Sequence, residues 1–244
     1  MSKITMVASG KGGVGKSTVC AMLGTALAKS GKKVLIVELD MGLRCLDIML
    51  GVSSRTVYDL SDVIMGRCTP KDAVVPCDAC ENLYITVAPN DPSFDFDNEQ
   101  FSDFLKKLYG VFDYVFIDSP AGIGRQVEAA AALCDSALIV ATPDPVSVRD
   151  SYKTADKLSK FGVKGIRLII NRVNVEEPKK NSITDFDSII DTVAVQLIGI
   201  VPDDKAAALS ISQGESVKAK TLFASAFENI AKRFSGIETS LLII

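Results

Sequence analysis

Three observations place this chain among the α/β proteins, as one doubly wound, mainly parallel sheet with helices on both faces. Short β-branched runs alternate with amphipathic helical patterns almost from end to end. A glycine-rich turn joins the first of those runs to the first helix. The 244 residues, 48% of them hydrophobic, suffice for one full core.

The elements follow in order. An apolar run predicts the first strand at Ile4–Ala8, and Val19, Met22, Leu23, Ala26 and Leu27 then repeat at helical spacing. Strands are expected at Val34–Leu39 and Leu83–Ala88. Between them Thr69-Pro70-Lys71-Asp72 reads as an N-cap, a proline at the first helical position and an acidic third residue. Phe101, Phe104, Leu105 and Leu108 mark a helix before the strand Tyr114–Ile117. Strands at Ala137–Ala141, Ile166–Ile170 and Leu197–Val201 follow, with a helix around Val146–Phe161 that exposes Arg149, Asp150, Lys153, Asp156 and Lys157. Phe223, Phe227, Ile230 and Phe234 mark the last helix. The longest irregular stretches are expected near 40–56, 88–97 and 172–182. No repeat or Pro/Gly-rich linker divides the chain, so one domain is expected over 1–235, followed by a short tail at 236–244. Ligands of such a sheet bind at the carboxyl ends of its strands.

Composition restricts the chemistry. The chain has no His, which removes imidazole bases, His-ligated metals and Ser-His-Asp nucleophiles. Its 27 Lys and Arg against 30 Asp and Glu leave a charge of −3, which argues against holding DNA by overall charge. The six Cys are scattered, as in a reduced cytoplasmic protein. The apolar run before Gly10 is too short for a signal-peptide core, and no stretch approaches the ~20 apolar residues of a membrane span.

The first strand runs into Gly10-Lys11-Gly12-Gly13-Val14-Gly15-Lys16-Ser17-Thr18, which fits G-x-x-x-x-G-K-[ST] with a strand before it and a helix after it. The glycines permit backbone torsions that aim successive N–H groups at phosphate oxygens, and the helix adds its positive end. Lys16 is expected to reach the β- and γ-phosphates of ATP or ADP, and the Ser17 hydroxyl to ligate Mg²⁺. The strand Tyr114–Ile117 ends in Asp118, an acid placed to hold the same Mg²⁺, while Gly122 lets the following loop sense the γ-phosphate. These features specify the P-loop NTPase fold. With no His available, Asp40 is a reasonable choice for orienting the attacking water, because it follows a strand beside the phosphate site.

Lys11 is superfluous for a simple nucleotide cradle. With it the loop K-G-G-x-G-K-S-T resembles that of the deviant Walker-A ATPases of the ParA/MinD family. Glu38–Gly51, Val57–Cys68, Asp118–Ile123, Ser147–Ser151, Asn171-Arg172 and Gly199–Asp203 extend the resemblance over about residues 2–234, most strongly to the MinD branch. The resemblance implies a face-to-face homodimer in which Lys11 contacts the other protomer's phosphates, like an arginine finger. Such charge stabilisation is worth about 10³–10⁵ in rate, or roughly 4–7 kcal/mol. It also implies that Asp40 orients water, that Asn171, Pro202 and Asp203 recognise adenine, and that Lys11 and Lys16 bind phosphates. The implied partners are a MinC-like division inhibitor and a MinE-like activator, the implied output is placement of the division septum, and the helix around Val146–Phe161 offers a regulatory surface. Flagellar-number and ParA-type partition ATPases share much of the motif set.

Three features depart from the family pattern. Glu38 stands where an Asp is more usual. The chain carries Lys232-Arg-Phe-Ser-Gly236 and then Leu241–Ile244 where MinD proteins have a basic amphipathic helix that docks on membrane, so these apolar residues seat either on a membrane surface or on the protein. Finally, Cys77-Asp-Ala-Cys80 supplies two thiols, which an iron–sulfur ATPase would need to complete from a dimer or other cysteines.

Overall fold

The computed structural model describes residues 2–41, 44–78, 80–122, 124–175 and 185–241. Residues 176–182 of the last expected irregular stretch, and 242–244 of the tail, lie outside them. The strands are β1 (Lys3–Ala8), β2 (Val34–Glu38), β3 (Val75–Pro76), β4 (Leu83–Thr86), β5 (Tyr114–Asp118), β6 (Ser136–Ala141), β7 (Gly165–Val173) and β8 (Gln196–Pro202). The helices are α1 (Lys16–Lys29), α2 (Leu46–Met49), α3 (Leu60–Ile64), α4 (Asn98–Lys107), α5 (Arg125–Ala131), α6 (Pro145–Lys160), α7 (Phe186–Val193), α8 (Lys205–Ser212) and α9 (Leu222–Phe234). The strands form one sheet in the order β3-β4-β2-β5-β1-β6-β7-β8, parallel except at β3. The doubly wound, mainly parallel sheet expected from the sequence is therefore present.

Each strand divides its apolar residues between two cores. Ile4, Met6 and Ala8 of β1, Leu35 and Val37 of β2, and Val115 and Ile117 of β5 join the core covered by α4–α7. Val7, Val34, Ile36 and Phe116 face the other way, toward α1 and α9. Period-two alternation inside wholly apolar runs is what a sheet buried on both faces requires. Phe116 and Phe227 are fully buried in the second core, a burial worth about 1.5–3 kcal/mol for each side chain. α9 lies along β8 and α1, and thereby braces the helix that carries the phosphate loop.

Two local expectations are corrected. The segment Thr69–Asp72 does not start a helix. The Asp72 carboxylate accepts from both the Thr69 N–H and hydroxyl, but these bonds close only a turn, because β3 begins at Val75. β3 itself was unexpected, being two residues long and containing a proline. Proline is tolerated there because β3 is an edge strand, where a missing donor breaks no interior ladder. The 40–56 stretch also contains α2 and a 3₁₀ turn at Ser53–Arg55.

α9 ends as the sequence suggests. The Ile237 N–H bonds the Lys232 carbonyl at 2.9 Å and the Gly236 N–H bonds that of Arg233 at 3.1 Å, a Schellman closure. Arg233 then donates to the Thr239 carbonyl at 2.8 Å, and Leu241 packs against the α4–α7 core. None of the described helices is long and apolar enough to cross a membrane.

Candidate functional site

The carboxyl ends of β1, β2, β5, β7 and β8 bring together the residues singled out in the sequence. The turn after β1 holds its glycines for different reasons. Gly13 and Gly15 have φ of 77° and 96°, so they need the left-handed region. At Gly15 a Cβ would also lie 2.4 Å from Asn171 Nδ2. Gly10 needs close approach instead, since a Cβ there would lie 2.5 Å from the backbone oxygen of Asp150 in α6. Gly12 shows neither constraint and is exposed, as is Gly13, which leaves the loop's outer edge open.

Lys16 opens α1 and is buried. Beside it the Ser17 hydroxyl donates to Asp118 Oδ2 at 2.6 Å. Asp118 is fully buried, and its Oδ1 has no hydrogen-bond partner. Burial pushes the Asp118 carboxyl up to about 7. The Ser17 hydrogen bond pulls it down, the Glu38 charge pushes it up, Lys16 lowers it and Asp40 raises it. A buried carboxylate with a free oxygen next to a hydroxyl is a fit site for Mg²⁺, which takes few protein ligands and completes its shell with phosphate oxygens and water. Among the described residues no group of three or more Cys, Asp or Glu is placed to hold a metal.

Asp40 lies half-buried in the turn after β2, close enough for its charge to raise both Asp118 and Cys45. Its position is set through the neighbouring backbone, where the Leu39 N–H bonds the Asp118 carbonyl at 2.9 Å. Lys11 projects from the open edge of the loop, half-exposed, with Nζ 3.6 Å from Asp144 Oδ1. Asp144 caps α6, accepting from the Ser147 N–H at 3.0 Å, and Thr142 donates to its other oxygen at 2.6 Å.

Asn171 sits on β7, buried, with Nδ2 donating to the Val14 carbonyl at 2.7 Å. The side chain therefore ties β7 to the phosphate loop. Pro202 ends β8, and the exposed Asp203 joins the end of β7 through its N–H to Val173 O at 2.8 Å. Gly122 has φ of 83°, and its N–H bonds the Ser9 carbonyl at 3.1 Å, so the loop after β5 is sewn to the strand that feeds the phosphate loop.

Several neighbours were not anticipated. Cys20, one turn along α1, is fully buried against Asp118; burial, then the Asp118 charge and hydrogen bond, hold its thiol well above the usual range. Cys45, half-buried, is pushed up to about 11 by burial, although the Ser17 hydroxyl beside it acts in the opposite direction. Asp144 gave no sequence signal beyond that of a helix cap. On α6 Asp150 is half-buried and not exposed as expected, because its backbone packs on Gly10.

Cys77 and Cys80 are both buried, and the Cys80 thiol approaches the Thr25 carbonyl of α1 at 3.8 Å. They line an apolar cavity of about 90 Å³ along the outer turns of α1, away from the phosphate loop. Packed there in the single chain, both thiols line this cavity and not the phosphate site.

A strand–loop–helix phosphate cradle, a strand-end acid on its serine and a second loop lysine together define a P-loop ATPase of the ParA type. The chain matches the ParA family (NUBPL iron-transfer P-loop NTPase) over residues 1–235. It is 39% identical to the septum site-determining protein MinD of Synechocystis, over 99% of this chain and 92% of that protein. MinD in the Aquifex aeolicus MinC:MinD cell division complex superposes with a TM-score of 0.92 at 32% identity, covering 99% of each chain. Pyrococcus horikoshii MinD, solved with Mg-ADP, does so at 0.86 and 30% identity over 96% of each. The chain belongs to the MinD family of septum site-determining ATPases.

Proposed function

We propose that this chain is an ATP-hydrolysing dimerisation switch that controls placement of the division septum. The observation that carries the reading is the pairing of an outward Lys11 with an inward Lys16 on one loop over the Ser17–Asp118 pair. The loop amides and Lys16 bind the β- and γ-phosphates, while Ser17 and Asp118 hold Mg²⁺. The metal neutralises charge on the phosphates when bound. Asp40 orients the water for in-line attack. Asn171, Pro202 and Asp203 form the adenine end, and Gly10 to Thr18 enclose the triphosphate. Inside one protomer Lys11 is half-exposed and held only by the exposed pair with Asp144, which it exchanges for the phosphates of a second protomer docked across this face. Phosphoryl transfer is catalysed largely by positioning and charge, for which a chain without His lacks nothing.

The output follows from partners. The Aquifex relative was solved with MinC, and a MinC-like inhibitor is the proposed cargo of the ATP-bound dimer. A MinE-like activator would accelerate hydrolysis. α6 suits such contacts, exposing Val146 and Tyr152 beside Arg149 and Lys153, and its cap holds Lys11. One ATPase domain over 1–235 followed by a short tail is supported by the family match and by the end of α9 at Phe234. We assign the protein to the cytoplasm, with a peripheral contact at the inner face of the cell membrane that requires the tail to release Leu241 from its packing on the core. Cosedimentation of the full chain with liposomes in ATP but not ADP, lost in a chain ending after Gly236, is the expected result.

The central test is ATPase rate per protomer across a wide protein concentration range. A rate that rises with concentration alongside an ATP-dependent dimer is expected. A flat profile with no dimer would sink the trans-lysine mechanism.

A further inference from the structure

Glu38 is the last residue of β2, directly across from Asp118 in the parallel pairing of β2 with β5. It is fully buried, and its carboxylate is held by backbone N–H groups. Oε1 accepts from the Cys45 N–H at 2.8 Å and from the Leu46 N–H at 3.0 Å, and Oε2 from the Ala88 N–H at a longer 3.4 Å. One side chain thus joins three parts of the backbone: the end of β2, the start of α2 and the segment after β4. The two short bonds both fall on Oε1, so the strongest hold of Glu38 is on the start of α2.

Asp40 lies between two of these anchor points. On its amino side, Leu39 is tied to Asp118 by a backbone bond; on its carboxyl side, the chain is caught again at Cys45 and Leu46 by Glu38. We propose that Glu38 is a positioning residue for hydrolysis: by gripping the amides of Cys45 and Leu46 it holds the chain that carries Asp40 against the β5 end. This rests on the reading of Asp40 as the water-orienting residue. It also accounts for the departure at this position. An Asp would fall short by about one carbon–carbon bond, ~1.5 Å, which takes bonds of 2.8 and 3.0 Å out of hydrogen-bonding range. The methylene that separates Glu from Asp is therefore what allows the side chain to span from β2 to α2.

The test uses the full chain and two readouts. In the wild-type protein, amide hydrogen exchange at Cys45 and Leu46 is expected to be at least tenfold slower than at the exposed Val57; equal rates would overturn the proposal without any variant. Glu38→Asp is expected to raise exchange at Cys45, Leu46 and Ala88 about tenfold and to lower kcat about tenfold, with KM for ATP within twofold. Glu38→Gln keeps the reach and an acceptor at Oε1, and is expected to recover most of both losses. A Glu38→Asp protein with wild-type kcat and exchange, or a Glu38→Gln protein no better than Glu38→Asp, would overturn it. Asp40→Ala separates the two ideas: if it retains full turnover the Asp40 reading fails, whereas loss of exchange protection in Glu38→Asp reports on the grip alone.

Discussion

The phosphate loop and the segment after β2 flank the same site, but they are built by opposite means. The phosphate loop is contiguous and determined by its backbone: Gly13 and Gly15 adopt left-handed torsions, Gly10 lets α6 approach, and the helix follows at once. The segment after β2 is set by side chains from elsewhere. Glu38 grips Cys45 and Leu46, while Arg44 donates to Asp47 at 3.0 Å, Asn90 at 2.9 Å and Thr56 at 2.7 Å. A loop shaped by its own torsions is already formed before phosphate arrives. One held by a few long side chains can change partners.

The largest effect that would break this contrast concerns turnover. Lys11→Ala should retain nucleotide binding and lose about 10³–10⁵ in rate, measured by steady-state ATPase with a fluorescent-nucleotide binding control. A comparable loss of binding would mean that Lys11 belongs to the cradle and not to the opposite protomer.

Asp118 joins the two regions and should report through pH. Its native pKa of about 7 lies above the ~3.9 of an unfolded Asp, so the folded protein holds this proton more tightly. In metal-free protein that contribution to stability is complete below about pH 4 and is lost as pH rises through about 7. Denaturation midpoints without Mg²⁺ should therefore fall between pH 5 and 8, and Asp118→Asn should flatten that part of the profile. The gain in melting temperature from Mg²⁺ with ADP should grow over the same interval, because the metal needs the carboxylate.

Stability variants distinguish the two kinds of construction. Gly10→Ala places a methyl against the Asp150 backbone and should cost about 1–3 kcal/mol in urea denaturation, whereas Gly12→Ala, which meets only the Ala121 methyl at 3.9 Å, should be nearly neutral. Arg44→Ala removes three side-chain bonds and leaves Asp47 largely buried without its cation, a loss of about 1.5–3 kcal/mol. A small effect is expected at Asp144→Asn. The Lys11–Asp144 pair is well exposed on both sides, so its loss should change stability by less than about 1 kcal/mol.

Much of the site was readable without coordinates. Gly10 to Thr18 are consecutive, and Asp118 ends an unmistakable apolar strand, so local pattern and chemistry agreed. Glu38 was visible only as a departure from family habit, and nothing in its neighbourhood revealed that its carboxylate would reach Cys45, Leu46 and Ala88. Cys20 and Cys45 were only two of six scattered cysteines, yet both lie beside Asp118. The Thr69–Asp72 turn misled because its capping chemistry is real, but the residues that should have continued the helix belong to an edge strand.

By itself the sequence determined the doubly wound fold, the phosphate cradle and the kind of reaction, because hydrophobic period and glycine torsion act over a few neighbouring residues. Only the tertiary structure decided that Lys11 rests on the α6 cap, that Asn171 is tied to the phosphate loop and that Glu38 holds the chain after β2. Each of those contacts joins residues brought together by strand order, and strand order is set by the whole buried sheet.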